Sequence, residues 1–127
     1  MKFDITKKLL AIVTIVSIGL FSQFSLAQDD SDLKTIAGIV VGMNHFPSDA
    51  DKATLMGIAE NSERRGIQLI ATAVGNIAHA ANAEGKEAMS RVIAAEQAPA
   101  NVKAVAEVVL GFNHMASDDA KAVLADI

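Results

Sequence analysis

Cysteine, tryptophan and tyrosine are all absent from this chain of 127 residues. Without cysteine the fold must be held by packing alone, and neither a disulfide nor a cysteine nucleophile is available. Three of the five phenylalanines precede residue 28, which leaves Phe46 and Phe112 in the rest of the chain. Sugar-binding platforms and grooves for single-stranded nucleic acid depend on aromatic stacking, so the composition argues against both.

Sequence signatures of catalysis are missing as well. The chain has no nucleophile elbow, no phosphate-binding loop and no cofactor-binding fingerprint, so no catalytic or cofactor-binding residue is assigned and the protein is not expected to be an enzyme. The net charge is −4, and it is more negative without the lysine-rich start of the chain. An acidic surface repels phosphate groups, so nucleic acid is not an expected partner.

The first 27 residues have the pattern of a secretory signal peptide. A start with three lysines is followed by an apolar run at residues 9–24 and by small residues at Ser25 and Ala27, the −3 and −1 positions of a cleavage site. A retained membrane anchor is the alternative, but the run is shorter than the ~20 residues that span a bilayer. We therefore expect cleavage after Ala27 and an exported chain, residues 28–127, in the periplasm or medium, without a membrane span.

A short motif built on histidine occurs three times and uses every histidine of the chain. A helix-capping residue stands three positions after each histidine, and a lysine follows four positions later. The three copies are His45, Ser48 and Lys52; His79, Asn82 and Lys86; and His114, Ser117 and Lys121. Their spacing of 34 and 35 residues predicts a repeated structural turn.

Each histidine is preceded by a segment with helical periodicity. Apolar or small residues stand 12, 9, 8, 5 and 2 positions before it, which is one face of an amphipathic helix. These positions are Leu33, Ile36, Ala37, Val40 and Met43; Ile67, Ile70, Ala71, Val74 and Ile77; and Val102, Val105, Ala106, Val109 and Phe112. We call the three predicted helices the A helices.

A second helix, the B helix, is predicted after each histidine. Ser48, Asn82 and Ser117 are good N-caps, and acidic residues follow in the first turn, where the helix dipole favours negative charge. For the A helices, the expected starts are Asp30 or Ser31 in the first copy, Ser62 as the cap in the second, and Pro99 as the first residue in the third.

The sequence thus predicts an all-α domain of six helices in three tandem hairpins. The copies cover approximately residues 31–61, 62–97 and 98–127. Three hairpins can stack as a short solenoid or close into a bundle, and the pattern leaves both open.

The three histidines have two interpretations. Imidazole is the commonest metal ligand, so His45, His79 and His114 are candidates for a transition-metal or haem site. The favoured interpretation is structural, since a histidine near a helix C-terminus can bond free carbonyls, and Asn44 and Asn113 suit the left-handed residue of a C-cap. Stacked hairpins would hold the first and third histidines apart, so all three can meet only in a closed bundle.

The other repeated residues are expected to be structural. Pairs such as Asp49–Lys52 and Asp118–Lys121 are predicted for the lysines, with docking of an acidic partner as the alternative. Gly42, Gly75 and Gly111 predict close approach of a neighbouring helix. The methionines at 43, 56, 89 and 115 are expected to fill the core rather than bind copper.

The favoured function is a non-catalytic interaction module of the bacterial cell envelope, which self-associates or binds a protein partner. Its motive is the apolar end of the last copy at Ile127, which no capping helix follows. The alternative is a small periplasmic protein that binds a metal or haem through the three histidines.

Overall fold

The computed structural model describes residues 30–127, and this part of the chain is all helical, as predicted. It contains six helices and no strand. The helices are α1 at residues 30–42, α2 at Asp49–Asn61, α3 at Arg65–Gly75, α4 at Ala83–Ala94, α5 at Ala100–Gly111 and α6 at Asp118–Ala125. The predicted signal peptide lies outside the described residues. Within residues 30–127, each helix is too short or too polar to cross a bilayer.

The core is formed chiefly by α1, α3 and α5, which are the predicted A helices. Every apolar position predicted for them is buried. Six of the β-branched side chains on this face have no solvent exposure, and they come in equivalent pairs: Ile36 and Val40, Ile70 and Val74, and Val105 and Val109. Burial of a side chain of this size contributes about 1.5–3 kcal/mol, so this face is the main source of stability.

The remaining helices, α2, α4 and α6, are called the outer helices, and α1, α3 and α5 the inner helices. Each outer helix lies against two inner helices, which closes the bundle. Helix α2 packs against α3, α4 packs against both α3 and α5, and α6 packs against α5. Helix α1 shares one cleft with α2 and another with α6, and the second is lined by Ala37, Val41 and Leu124 among others. The last helix therefore returns to the first, and the helices do not extend as an open solenoid.

The end of the chain is covered rather than exposed. Leu124 is buried, and Ile127 is half-buried against the core beside residues of α1. An apolar end at Ile127 without a capping helix leaves two covers open, another chain or closure of the hairpins on themselves, and the structure has the second.

The three predicted caps of the outer helices are confirmed. Ser48 accepts a hydrogen bond from the amide of Asp51, and Ser117 accepts one from Ala120, each at 3.1 Å. The Asn82 side chain accepts from Gly85 at 2.7 Å. Each bond satisfies one amide that would otherwise have no partner at a helix start, so the turn after every histidine ends in the same way.

The predicted starts of the inner helices need correction. Asp30 and Ser31 are already helical, so neither of them caps α1. Ser62 closes the end of α2, where its amide donates to the carbonyl of Ile58, and α3 begins only after Arg64. Pro99 is the residue immediately before α5 rather than its first residue.

The glycines near the histidines do not mark close helix contacts. A Cβ atom added at Gly42 or Gly111 would have no neighbour within 4 Å, and at Gly75 it would only touch Leu55 at 3.9 Å. Two other glycines are tight: a Cβ at Gly85, in the first turn of α4, would lie 3.2 Å from the side-chain oxygen of Asn82, and one at Gly66, in α3, would lie 3.3 Å from Val102 of α5. A small residue is therefore needed at these two positions rather than before the histidines.

Candidate metal centre

The turn after each inner helix brings a histidine to the same position. The helices end alike, because the amides two residues before the histidines bond back to carbonyls three residues earlier: Met43 to Val40, Ile77 to Val74 and Phe112 to Val109. The apolar residue that makes this bond is buried in each case. Each histidine is the second residue after this buried apolar residue, at the point where the chain leaves the core.

All three histidines have a positive φ, at 70°, 70° and 66° for His45, His79 and His114. Within residues 30–127 no other residue has one. His45 and His114 are each the central residue of a three-residue turn, since the amide of Phe46 donates to Asn44 and that of Met115 to Asn113. This positive-φ turn is rare and strained. The expected left-handed residues, Asn44 and Asn113, are instead the residues before it.

A closed ring of backbone hydrogen bonds joins the three turns. The amide of His45 donates to the carbonyl of His114, that of His79 to His45, and that of His114 to His79. The donor–acceptor distances are 2.6, 2.6 and 2.5 Å. Each histidine therefore donates once and accepts once, and these bonds hold the three strained residues against one another at the centre of one end of the bundle.

The side chains meet in the same way as the backbones. The Nδ1 atoms lie 3.2 Å apart between His45 and His114, and 3.3 Å apart in the other two pairs. The rings are edge-to-face, with centroids 5.1 Å apart in every pair and interplanar angles of 68–75°. The three candidate ligands are thus an almost equilateral triangle of nitrogens, and all three residues are exposed.

The size of this triangle suits a small metal ion. Ligand nitrogens at 2.0–2.1 Å from a tetrahedral zinc ion are about 3.3–3.4 Å from each other, which matches the observed separations. The imidazole tautomer protonated at Nε2 leaves a lone pair on Nδ1. Three such lone pairs repel each other at this distance, and a cation between them removes the repulsion.

Among the described residues, the cluster contains only these three candidate ligands. No carboxylate or thiolate joins them within the 4.8 Å that encloses the ligand atoms. The flanking residues Asn44, Phe46, Asn113 and Met115 are all exposed, with Phe46 at 59% and Met115 at 52%. A metal ion would therefore have three neutral protein ligands and a partly apolar rim.

The other repeated residues do not join this cluster. Lys52, Lys86 and Lys121 are exposed on the outer helices. In residues 30–127 the structure contains an ion pair between Arg91 and Glu87, but not the pairs predicted for Lys52 and Lys121. The three lysines are exposed to solvent, and their contact with an acidic partner stays a prediction.

The methionines divide into two groups. Met43 and Met89 are buried in the core, as expected, whereas Met56 and Met115 are exposed. Sequence reasoning also missed one set of buried residues, which stand two positions after the histidines: Pro47, Ala81 and Ala116. Their signal was present, because all three copies have a compact apolar residue at this position.

A large cleft in residues 30–127 lies elsewhere. It has a volume of about 460 Å³ and lies between the start of α3, the end of α4 and the start of α5, with a lining that includes Arg64, Arg65 and Pro99. None of the three histidines lines it. This cleft and the histidine cluster are therefore separate features. Only the cluster brings together side chains that can bind a metal ion.

Comparison of the chain with protein-family models, with curated proteins and with solved structures gave no match in any of the three.

Proposed function

We propose that this protein binds a single transition-metal ion, zinc or copper, through the Nδ1 atoms of His45, His79 and His114. The observation that carries the proposal is the nitrogen triangle, whose sides of 3.2–3.3 Å correspond to facial coordination of one ion. Imidazole suits both metals, and copper(II) is expected to bind more tightly than zinc.

Backbone strain supports a binding role over a purely structural one. Positive φ in a residue other than glycine costs on the order of 1–3 kcal/mol, and such strain is concentrated at functional sites. Here it falls on three residues of one type, and glycine or asparagine would satisfy the backbone at lower cost. Selection for the imidazole rings explains why histidine stands at each of these positions.

The geometry favours a single ion over haem. A haem iron takes its protein ligands on the axis perpendicular to the porphyrin, so at most two side chains can bind it from opposite faces. Three nitrogens that converge from one side cannot be arranged in this way. We therefore propose the metal-ion form of the site and not the haem form.

We further propose that the chain consists of three copies of one hairpin, α1–α2, α3–α4 and α5–α6, each of which supplies one ligand. Two clefts support this: Lys52 and Leu55 line the cleft between α2 and α3, while Lys121 and Leu124 line the one between α6 and α1. In both, the outer helix of one copy meets the inner helix of the next. An approximate threefold axis would pass through the histidine cluster.

Titration calorimetry of residues 28–127 with zinc and with copper(II) tests the site. We expect one ion per chain, and we expect each of the changes His45→Asn, His79→Asn and His114→Asn to abolish it. Asparagine is chosen because it tolerates positive φ better than most residues. Lys86→Gln is the matched control, because it changes an exposed residue of the same motif and leaves the triangle intact.

Two results would overturn the proposal. One is the absence of binding at micromolar metal to the folded wild-type chain. The other is binding that persists at the same affinity in the single histidine variants, which would place the ion elsewhere. The far-UV circular dichroism of every variant establishes that its helices are intact.

A role in protein association is the second candidate. Phe46 and Met115 are large apolar side chains exposed beside the histidines, and Met56 is exposed at 62% on α2. Exposed apolar side chains beside the proposed metal ion support docking of a protein partner, or of a second copy of the chain, in the cell envelope. Sedimentation velocity of the wild type and of Phe46→Ser tests the self-associating form, which a concentration-independent monomer would exclude.

A further inference from the structure

The three histidines leave one coordination position of the proposed metal ion without a protein ligand, and the geometry of the nitrogens determines where this position lies. The centre of the nitrogen triangle is about 1.9 Å from each Nδ1 atom, slightly less than the 2.0–2.1 Å of a zinc–nitrogen bond. The ion would therefore lie slightly out of the plane of the three nitrogens. A tetrahedral ion in this position has its fourth ligand on the axis of the triangle, away from the nitrogens.

Within residues 30–127, the side chains that commonly bind metals do not fill this position. The cluster contains no aspartate, glutamate or cysteine, and the chain has no fourth histidine. The histidines are exposed, so solvent reaches the ion directly. Structural zinc sites are normally closed by four protein ligands, whereas sites with three retain a position for an exchangeable ligand.

The charge of the site selects the kind of ligand. Three neutral imidazoles leave the full charge of a divalent ion uncompensated, since no carboxylate belongs to the cluster. A small anion neutralises part of this charge, and the metal-bound water is itself acidified for the same reason. No described cleft is lined by the histidines, so the site has no walls that would recognise a large ligand.

We infer that the metal held by His45, His79 and His114 keeps one exchangeable coordination position, which binds a small monodentate anion from solution. This inference rests on the proposed metal-binding function and adds to it a ligand class. It separates the site from a structural metal centre, in which every position is occupied by the protein.

Cobalt(II) in place of zinc makes the position visible, because the visible absorption of cobalt(II) depends on its ligands. Azide is the probe, titrated into the cobalt-loaded chain of residues 28–127. We expect a saturable change of the cobalt bands that fits one azide per metal. The same titration of Lys86→Gln should give the same end point and the same affinity.

The variant Met115→Leu distinguishes an exogenous ligand from a thioether of the protein. Met115 follows His114 directly and is exposed, so the change should not disturb the fold. Under the inference, its cobalt spectrum before and after azide equals that of the wild type. A spectrum that differs before azide is added would identify Met115 as the fourth ligand and overturn the inference.

Two further outcomes distinguish failure of this inference from failure of the proposed metal-binding function. Cobalt that is bound, with a spectrum that azide does not change, would overturn the inference and leave the metal-binding function intact. Failure of cobalt, zinc and copper to bind would overturn both.

Discussion

The amide of His45 donates a 2.6 Å hydrogen bond to the carbonyl of His114, although 69 residues separate the two along the chain. Their Nδ1 atoms are 3.2 Å apart. A single backbone bond thus joins the first and last turns of the bundle and places two imidazole rings side by side. A metal ion that binds both rings should therefore stabilise the whole fold, and the first prediction tests this.

Zinc should raise the melting temperature of the chain. A ligand that binds only the native state stabilises it by about 2.7 kcal/mol at 100 times its dissociation constant. For a domain of this size, 1 kcal/mol corresponds to about 4–8 °C, so the shift should be on the order of 10 °C or more. Thermal melts with zinc and with chelator measure it. A shift that His79→Asn retains in full would contradict the prediction.

Replacement of His79 should separate the backbone role from the ligand role. Alanine keeps the cost of positive φ, whereas glycine adopts it freely, so without metal His79→Gly should be more stable than His79→Ala. The difference should be about 1 kcal/mol, since the greater flexibility of glycine in the unfolded chain offsets part of the gain. Urea unfolding of the two variants measures it, and equal midpoints would show that the turn is unstrained. Neither variant should bind zinc.

Removal of a helix cap should destabilise the fold by a similar amount. Ser48→Ala leaves the amide of Asp51 without its side-chain acceptor and should cost about 1 kcal/mol. Ser117→Ala should cost less, because α6 has only 8 residues whereas α2 has 13, so the capped helix contributes less to the fold. Ser90→Ala is the control, since Ser90 bonds a carbonyl within an exposed turn of α4 and alanine is the better helix former. The expected order of melting temperatures fails if Ser90→Ala is the most destabilised.

Glycine-to-alanine changes should differ in sign with position. Gly42→Ala should be neutral or stabilising by up to about 1 kcal/mol, because the added methyl group meets nothing within 4 Å. Gly85→Ala should destabilise, because its Cβ would lie 3.2 Å from the capping oxygen of Asn82. Denaturant midpoints of the two variants provide the comparison. A stabilised Gly85→Ala would show that the cap adjusts without cost.

Local sequence patterns were sufficient for the helices and for the outer caps. The apolar face that includes Ile36, Ile70 and Val105 follows from helical spacing, and the caps at Ser48 and Ser117 follow from hydrogen-bonding chemistry within four residues. Ser62 was misassigned, because a serine between two helices can equally close the first of them or open the second. Ser62 is buried, so the packing around it, and not its own hydrogen-bonding chemistry, determines that it ends α2 and does not begin α3.

Closure of the bundle and the meeting of the histidines could not be predicted in this way. The periodicity identifies which face of each helix is buried, but an open stack and a closed bundle bury the same face. The contact between His45 and His114 depends on how α6 returns to α1, and no residue near either histidine encodes that return. The positive φ was missed because asparagine, which precedes two of the histidines, is the more usual residue at such a position.

The ring of backbone hydrogen bonds has a consequence for the order of events in folding. Each of its three bonds spans 34, 35 or 69 residues, so the ring has no local precursor and cannot form before the hairpins dock. Contacts of such large sequence separation are slow, because the entropy of loop closure is lost before they contribute. The chelating geometry therefore arises in the final docking step. An unfinished chain on the ribosome, or a chain with one hairpin undocked, holds at most two of the three imidazoles together, so binding of the metal by all three would report that assembly is complete.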